Sequence, residues 1–251
     1  MELLNHSQIL AALSTDSLAC LEILDVVDST NRYALEHKGA VPFACIAEYQ
    51  TAGRGRQGRQ WISPYASGLC LSVKQCYSAL NKPLAGLNIA LAVTVARVLR
   101  GLGANEIGLK WPNDVWWRGS KLGGLLLETR QGKEIVIGIG INVKMPSDTE
   151  GISQTWVDLQ TVLGRPISRN TLAAMLIDQC LQTLSLYPKL GLAAFREDWL
   201  HFDLSYGQPV TLKISPDAAV TGTGCGIDEK GALLLQVGDQ RQAYVSGALS
   251  F

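Results

Sequence analysis

Charge is scarce in this sequence. Only 18% of its 251 residues are charged and 47% are hydrophobic, against roughly 25% charged in an average soluble domain. Such a composition excludes disorder and supports a sizeable buried core. The charge that exists cancels, with 22 basic and 22 acidic residues, so a nucleic-acid partner held by charge alone is not expected. Histidine occurs three times (His6, His37, His201), and the six cysteines (Cys20, Cys45, Cys70, Cys76, Cys180, Cys225) include no C-x-x-C pair. A zinc site is therefore not expected. Cysteines in apolar strand-like segments behave as small hydrophobes and suit a reducing cytoplasm. The longest apolar stretch, Leu84 to Leu99, is broken by Asn88 and Arg97, which fits a packed helix and not a bilayer span. The N-terminal segment has no basic leader followed by an apolar run, so no signal peptide is expected.

What is present reads as a mixed α+β core followed by a small all-β unit, without repeats or low-complexity linkers. Helices are expected at 7–14, after Asp28-Ser29-Thr30-Asn31, at 83–100, 170–187 and 189–200. Strands are expected at 21–27, 43–49, 68–75, 107–111, 114–117, 121–128 and 134–143. From about Gly207 short strands alternate with Gly/Asp turns, at 209–214, 219–227, 232–237 and 243–245, and read as a small β-barrel.

Three constellations carry chemistry. Gly53-Arg54-Gly55-Arg56-Gln57-Gly58 formally matches G-x-G-x-x-G, but a dinucleotide site needs a helix directly after the glycines. Here Arg59-Gln60-Trp61-Ile62-Ser63-Pro64 follows, which argues against one. Three arginines among glycines suit a loop that closes on a small phosphate compound; a plain surface loop is the alternative. The second constellation is Lys110-Trp111-Pro112-Asn113-Asp114 with Lys121-Leu122-Gly123-Gly124. Lys121, taken alone, also reads as a solvated edge charge. The third is Gly138-Ile139-Gly140-Ile141-Asn142, where alternating glycine points to something packed closely on a strand.

Taken together and in order, Asp28-Ser29-Thr30-Asn31, Gln50 to Trp61, Lys110 to Asp114, Lys121 to Gly124 and Gly138 to Asn142 resemble the motif set of biotin protein ligases. The resemblance runs from the N-terminal helix through the final β segment. It implies a class II synthetase-like, biotin–lipoate ligase catalytic core at residues 1–204 and an SH3-like β domain at 205–251. It also implies biotin, ATP and Mg2+ as reactants, with biotinyl-5′-AMP formed first and its acyl group then passed to a lysine of a biotin carboxyl carrier protein, that of acetyl-CoA carboxylase.

By the same resemblance, Arg56, Lys121 and Asp114 are the catalytic candidates. Asp114 would orient or deprotonate the incoming lysine, whose free pKa is about 10.4. Ser29, Thr30, Asn31, Gln50, Arg54, Gly55, Arg56, Lys121, Gly123 and Gly124 would bind biotin. Arg54, Arg56, Arg59, Trp61, Lys110, Asn113 and Asn142 would meet ATP or the adenylate, with Trp61 stacking on adenine and Trp156 as a wall of the site. No side chain is expected to ligate a metal directly. Ser29 and Thr30 also read as helix caps, and Trp111-Pro112 as a packed corner.

Only 28 residues precede Ser29, too few for the winged helix-turn-helix of relatives that also repress transcription, so no DNA binding is expected. A homodimer is the expected assembly. At the other end, Ala248 and the stop at Phe251 replace an acidic and a basic residue common in relatives, which counts against an ATP contact there. Rival readings are a lipoate or octanoyl transferase of the same fold, and a non-catalytic biotin or adenylate sensor. The arginine loop is expected to be mobile when empty. Trypsin should cleave around Arg54 readily in the free protein and slowly with biotin and ATP present; equal rates would contradict this.

Overall fold

Ile135, Ile137, Ile139 and Ile141 alternate along one strand with Val136, Gly138, Gly140 and Asn142, and all four isoleucines are buried. Each contributes about 1.5–3 kcal/mol by leaving water. This alternation divides the strand into a core face and a second face on which the glycines lie. The computed structural model describes residues 2–14, 16–77, 84–131 and 133–251. Its order begins α1 (His6–Ala12), β1 (Cys20–Val27), α2 (Thr30–Glu36), β2 (Phe43–Gln50), β3 (Gly68–Cys76) and α3 (Leu87–Gly101). It continues β4 (Ile107–Lys110), β5 (Asp114–Trp117), β6 (Ser120–Arg130) and β7 (Glu134–Asn142). These strands form one seven-stranded sheet in the order β1-β2-β3-β7-β6-β5-β4. Only β1 and β2 run parallel, joined through α2; the other pairs are antiparallel.

On the core face, Leu69, Leu71 and Val73 of β3 meet the four isoleucines and the buried side of α3. Helices α4 (Leu159–Leu163), α5 (Arg169–Leu190) and α6 (Arg196–Phe202) follow, and α5 packs along α3 and β3. On the other face α2 lies across β2, β3 and β7, with Ala34 against Phe43, Cys45 and Val136.

The chain closes with β8 (Pro209–Ser215), β9 (Ala218–Ile227), β10 (Leu233–Val237), β11 (Gln240–Tyr244) and β12 (Ala248–Ser250). They form a five-stranded antiparallel sheet ordered β11-β10-β9-β8-β12. Val210, Leu212, Leu233 and Leu235 from it join the main core, and the Trp111 indole donates to Gly231 O at 3.0 Å. No helix among the described residues is long and apolar enough to cross a membrane.

Most expected elements stand where the periodicity places them, and the departures have local causes. The start expected for α3 at residue 83 lies outside the described residues. Helix α5 is a single 22-residue helix that runs through Pro188 and stops at Gly191. A proline so near the C-terminus forfeits little of the ladder, whereas Gly191 at φ 62°, ψ −167° leaves helical space. The helix expected at 189–200 therefore resolves into a tight turn at Leu192–Phe195 and α6. Helix α4 escaped the sequence reading because it is five residues long; Asp158 caps it by accepting from Thr161 N at 2.8 Å. The short strand β12 escaped it too.

The α5 N-terminus is tied to the sheet by one buried cation. Arg169 donates to Gly68 O at 3.2 Å and to Glu2 O, and its guanidinium stands 2.7 Å from Glu48 Oε2. Leu4 N donates to the other Glu48 oxygen at 2.6 Å. Removing the cation leaves a buried carboxylate without its counter-charge. Arg169→Ala is expected to cost about 3–5 kcal/mol in urea unfolding, and Arg169→Ala combined with Glu48→Gln to recover part of it; a loss below 1 kcal/mol would contradict the account.

Candidate active site

Helix α2 opens with an unusual division of labour. Ser29 holds the N-cap position, yet its hydroxyl makes no cap bond. Gln50, at the end of β2, accepts from Thr30 N at 2.8 Å and from Thr30 Oγ1 at 3.1 Å instead. Asp28 accepts from Ser29 N at 2.6 Å. Orphan amides of the first turn are thus satisfied from outside the helix, and the Ser29 hydroxyl is left facing a cavity.

The second face of β3 holds α2 in place. Cys70, Ser72 and Lys74 alternate along it. Ser72 Oγ lies 2.8 Å from Thr30 Oγ1 and 2.7 Å from Asn31 Oδ1. Lys74 Nζ donates to His37 O at 2.8 Å and pairs with Glu134 at 3.3 Å, a cation at the helix C-terminus where the dipole favours one. Opposite Ser72 in the register is Gly138. A Cβ there would overlap Asn31, with Cγ at 2.8 Å. Both Asn31 amide protons are committed within the protein, to Leu126 O at 3.0 Å and Glu128 Oε2 at 2.9 Å.

The arginine loop is a hairpin. Gly55 N donates to Arg59 O at 2.6 Å and Trp61 N to Gly53 O at 2.9 Å. A single tight turn at Arg56–Gly58, with Gln57 at φ 56°, stands where a dinucleotide site would need a helix. Arg54 reaches Glu128 at 2.7 Å, while Arg56 NH1 donates to Asn113 Oδ1 at 3.3 Å. Burial draws the Arg56 pKa below its ordinary value, and nearby Asp114 opposes that pull.

Lys121 Nζ lies 3.0 Å from Asp114 Oδ1, both side chains largely buried. The Lys121 backbone brackets Trp156: its N–H donates to Thr155 O and its carbonyl accepts from Val157 N, at 3.0 Å each. Asn142 Nδ2 clamps the same joint, on Val157 O at 3.1 Å and Lys121 O at 3.4 Å. The Trp61 indole rests on Gly140, where a Cβ would come within 2.5 Å of Cε2, and Lys121 Nζ stands 5.8 Å from its centroid. Beneath them the buried Cys70 thiol is pushed up to about 11 by desolvation.

These groups enclose a cavity of about 290 Å³. Ser29, Thr30, Asn31 and Gln50 line one end, the loop supplies Arg54, Gly55, Arg56 and Arg59, and Trp61, Asp114, Lys121 and Gly124 occupy the middle. Asn113, Asn142 and Trp156 also line it. Two expected residues stand outside it. Lys110 is half-buried beside the cavity, 4.4 Å over Trp116 and 5.4 Å over Phe251, and burial lowers its pKa. Gly123 turns to the core face, where a Cβ would meet Ile141 Cδ1 at 2.6 Å. The cause is a register shift between Val115 and Trp116 against β6. That bulge puts Gly124, not Gly123, on the face of Lys121. Sequence reasoning missed Ser72, Cys70 and Glu128; alternation along β3 puts the first two opposite Gly138 and Gly140, whereas only the bulge brings Glu128 to the site face. No group of three His, Cys, Asp or Glu side chains suited to a metal occurs among the described residues. The arrangement takes a ligand with a neutral polar head at one end and anionic charge where Arg54, Arg56 and Lys121 converge.

Comparison with known proteins agrees with this geometry. The Biotin/lipoate A/B protein ligase family matches residues 23–144, and the Biotin protein ligase C terminal domain matches residues 206–251. The bifunctional ligase/repressor BirA of Escherichia coli (strain K12) is 40% identical over 100% of this chain and 78% of its own length. The biotin--[acetyl-CoA-carboxylase] ligase of Mycobacterium tuberculosis is 32% identical over 80% of this chain and 76% of that protein. A solved structure of the Aquifex aeolicus biotin protein ligase in complex with biotin and ATP superposes with a TM-score of 0.78 at 27% identity, covering 94% of this chain and 98% of that one. The chain belongs to the biotin protein ligase family.

Close approach at Gly138 is directly testable. Gly138→Ala is expected to destabilise the protein by about 1–3 kcal/mol through overpacking. In a double-mutant cycle with Asn31→Ala, the coupling measured by urea unfolding should reach at least about 1 kcal/mol; additive effects would contradict the contact.

Proposed function

We infer that this protein is an ATP-dependent ligase that activates biotin as biotinyl-5′-AMP and transfers the biotinyl group to a lysine of a carrier protein. The observation that carries this reading is the convergence of Arg56, Lys121 and Asp114 on one cavity whose far end is neutral and hydrogen-bonding. The neutral ureido head of biotin suits the Ser29 hydroxyl and the Thr30–Gln50 pair. Its carboxylate then lies toward the cations. ATP enters as its Mg2+ complex, the metal arriving with the phosphates.

In the first step a carboxylate oxygen attacks the α-phosphorus, the bond to the bridging oxygen breaks, and pyrophosphate leaves. Anion approaches anion, so fixed positive charge is needed where charge develops. Arg56 and Lys121 supply it, with Arg54 and Arg59 from the loop. In the second step the lysine amine attacks the acyl carbon of the mixed anhydride. The carbon–oxygen bond breaks, AMP leaves, and an amide remains. The amine must shed a proton, and Asp114 is the carboxylate placed to orient it and accept that proton. Asn31 and Asn142 serve this site from behind, because their amide protons are committed to the protein. In place of the stacking expected of Trp61, whose indole already lies on Gly140, Trp156 offers its face to the adenine and Trp61 borders the acyl chain; both line the cavity.

Within this reading residues 1–204 are the catalytic domain and 205–251 the β domain. The acceptor is the biotin carboxyl carrier protein of acetyl-CoA carboxylase, the assembly is a homodimer, and the compartment is a reducing cytoplasm, which suits six free cysteines. A net charge of zero gives no support for a nucleic-acid partner.

The test is exchange of labelled pyrophosphate into ATP. Exchange should require biotin, ignore lipoate and octanoate, and fall at least about 100-fold in Arg56→Ala and in Lys121→Ala. Exchange with lipoate instead would assign the lipoate-transferring relatives' chemistry, and none with any acid would leave a ligand-binding protein.

A further inference from the structure

We propose that Glu128 is a positioning residue that couples the ligand-binding wall of the cavity to the arginine loop. The proposal rests on the ligase reading above and adds to it a residue that lines no part of the cavity. One carboxylate oxygen, Glu128 Oε2, accepts from Asn31 Nδ2 at 2.9 Å and from Arg54 NH2 at 2.7 Å. These two donors belong to different parts of the site: Asn31 to helix α2, and Arg54 to the loop that covers the cavity.

The two halves of this bridge differ in rigidity. Asn31 is 3% exposed and is fixed by Ser72, by Leu126 O and by the bare backbone at Gly138. It therefore fixes Glu128. Arg54 is 42% exposed in its side chain, and the loop around it holds itself mainly by its own hairpin bonds. Glu128 thus presents a fixed acceptor to a movable cation. The position of this one oxygen, set by Asn31, therefore sets where Arg54 and its loop come to rest over the cavity. The loop has a second tether of the same kind at Arg56 and Asn113, so its two leading arginines anchor to different elements, β6 and the β4–β5 turn.

An ion pair this exposed contributes little to global stability. Its loss should alter the population of the closed loop and not the fold. Glu128→Gln keeps an acceptor for Asn31 and removes the charge that holds Arg54. In biotin-dependent pyrophosphate exchange the variant is expected to raise the KM for biotin about three- to fivefold, with kcat changed less than twofold. In an Arg54→Ala background the same substitution should leave the KM unmoved. Tryptic cleavage in the Arg54–Arg59 segment should be faster in Glu128→Gln than in wild type without any ligand, while the urea midpoint is retained.

An effect of Glu128→Gln that persists undiminished in the Arg54→Ala background would overturn the coupling, as would unchanged cleavage in the loop. A kcat loss with KM unchanged would also overturn it. If the wild type shows no biotin-dependent exchange but the variant still speeds cleavage, the tether stands and the ligase reading falls.

Discussion

Everything functional in this protein depends on how closely helix α2 lies on strands β3 and β7. The helix is seven residues long, too short to be stable by itself in water. It is held at both ends by side chains from elsewhere: Gln50 and Ser72 at Thr30 and Asn31 of its first turn, and Lys74 at the carbonyl of His37, its C-cap. Such close seating demands a strand without side chains under the helix, and Gly138 provides it. The same requirement repeats one step along at Gly140, where an indole takes the helix's place. Alternation does the rest, since every residue that leaves room for the site is followed by an isoleucine that builds the core behind it.

Much of this was legible in the sequence, for a physical reason. The motifs are contiguous, and contiguous residues in a turn or at a helix start must share a neighbourhood whatever the fold. Glycine alternating with isoleucine announced a strand with one crowded face. The missing helix after Gly58 was legible from Pro64 and the polar run before it. Where the reading erred, a feature invisible in one segment decided the matter. Gly123 and Gly124 are chemically identical, and only a bulge set by the neighbouring strand selects which faces Lys121. Lys110 belongs to a recognisable motif but is drawn aside by Trp116 and Phe251, one of them 141 positions away. Ser29 looked like a helix cap because its sequence suits one; the cap comes instead from a glutamine twenty-one residues on.

The C-terminal sheet shows the same dependence on distant partners. Six of its buried apolar side chains, Val210, Leu212, Ile227, Leu233, Leu235 and Leu249, belong to the same cluster as the core of the larger unit. Trp111, next to the Asn113–Asp114 corner, donates to the Gly231 carbonyl in the turn between β9 and β10. The corner that presents Asp114 is therefore braced by the turn between β9 and β10.

Asn31 and the Trp61 indole line the cavity while lying directly on the main chain of Gly138 and Gly140, with no side chain of β7 beneath them. Main chain in the centre of a seven-stranded sheet is the least compliant material a protein has. Side chains that line a pocket can swing to admit a bulkier guest; a hydrogen-bonded strand cannot. At this wall the lining side chains therefore have no space behind them into which to retreat.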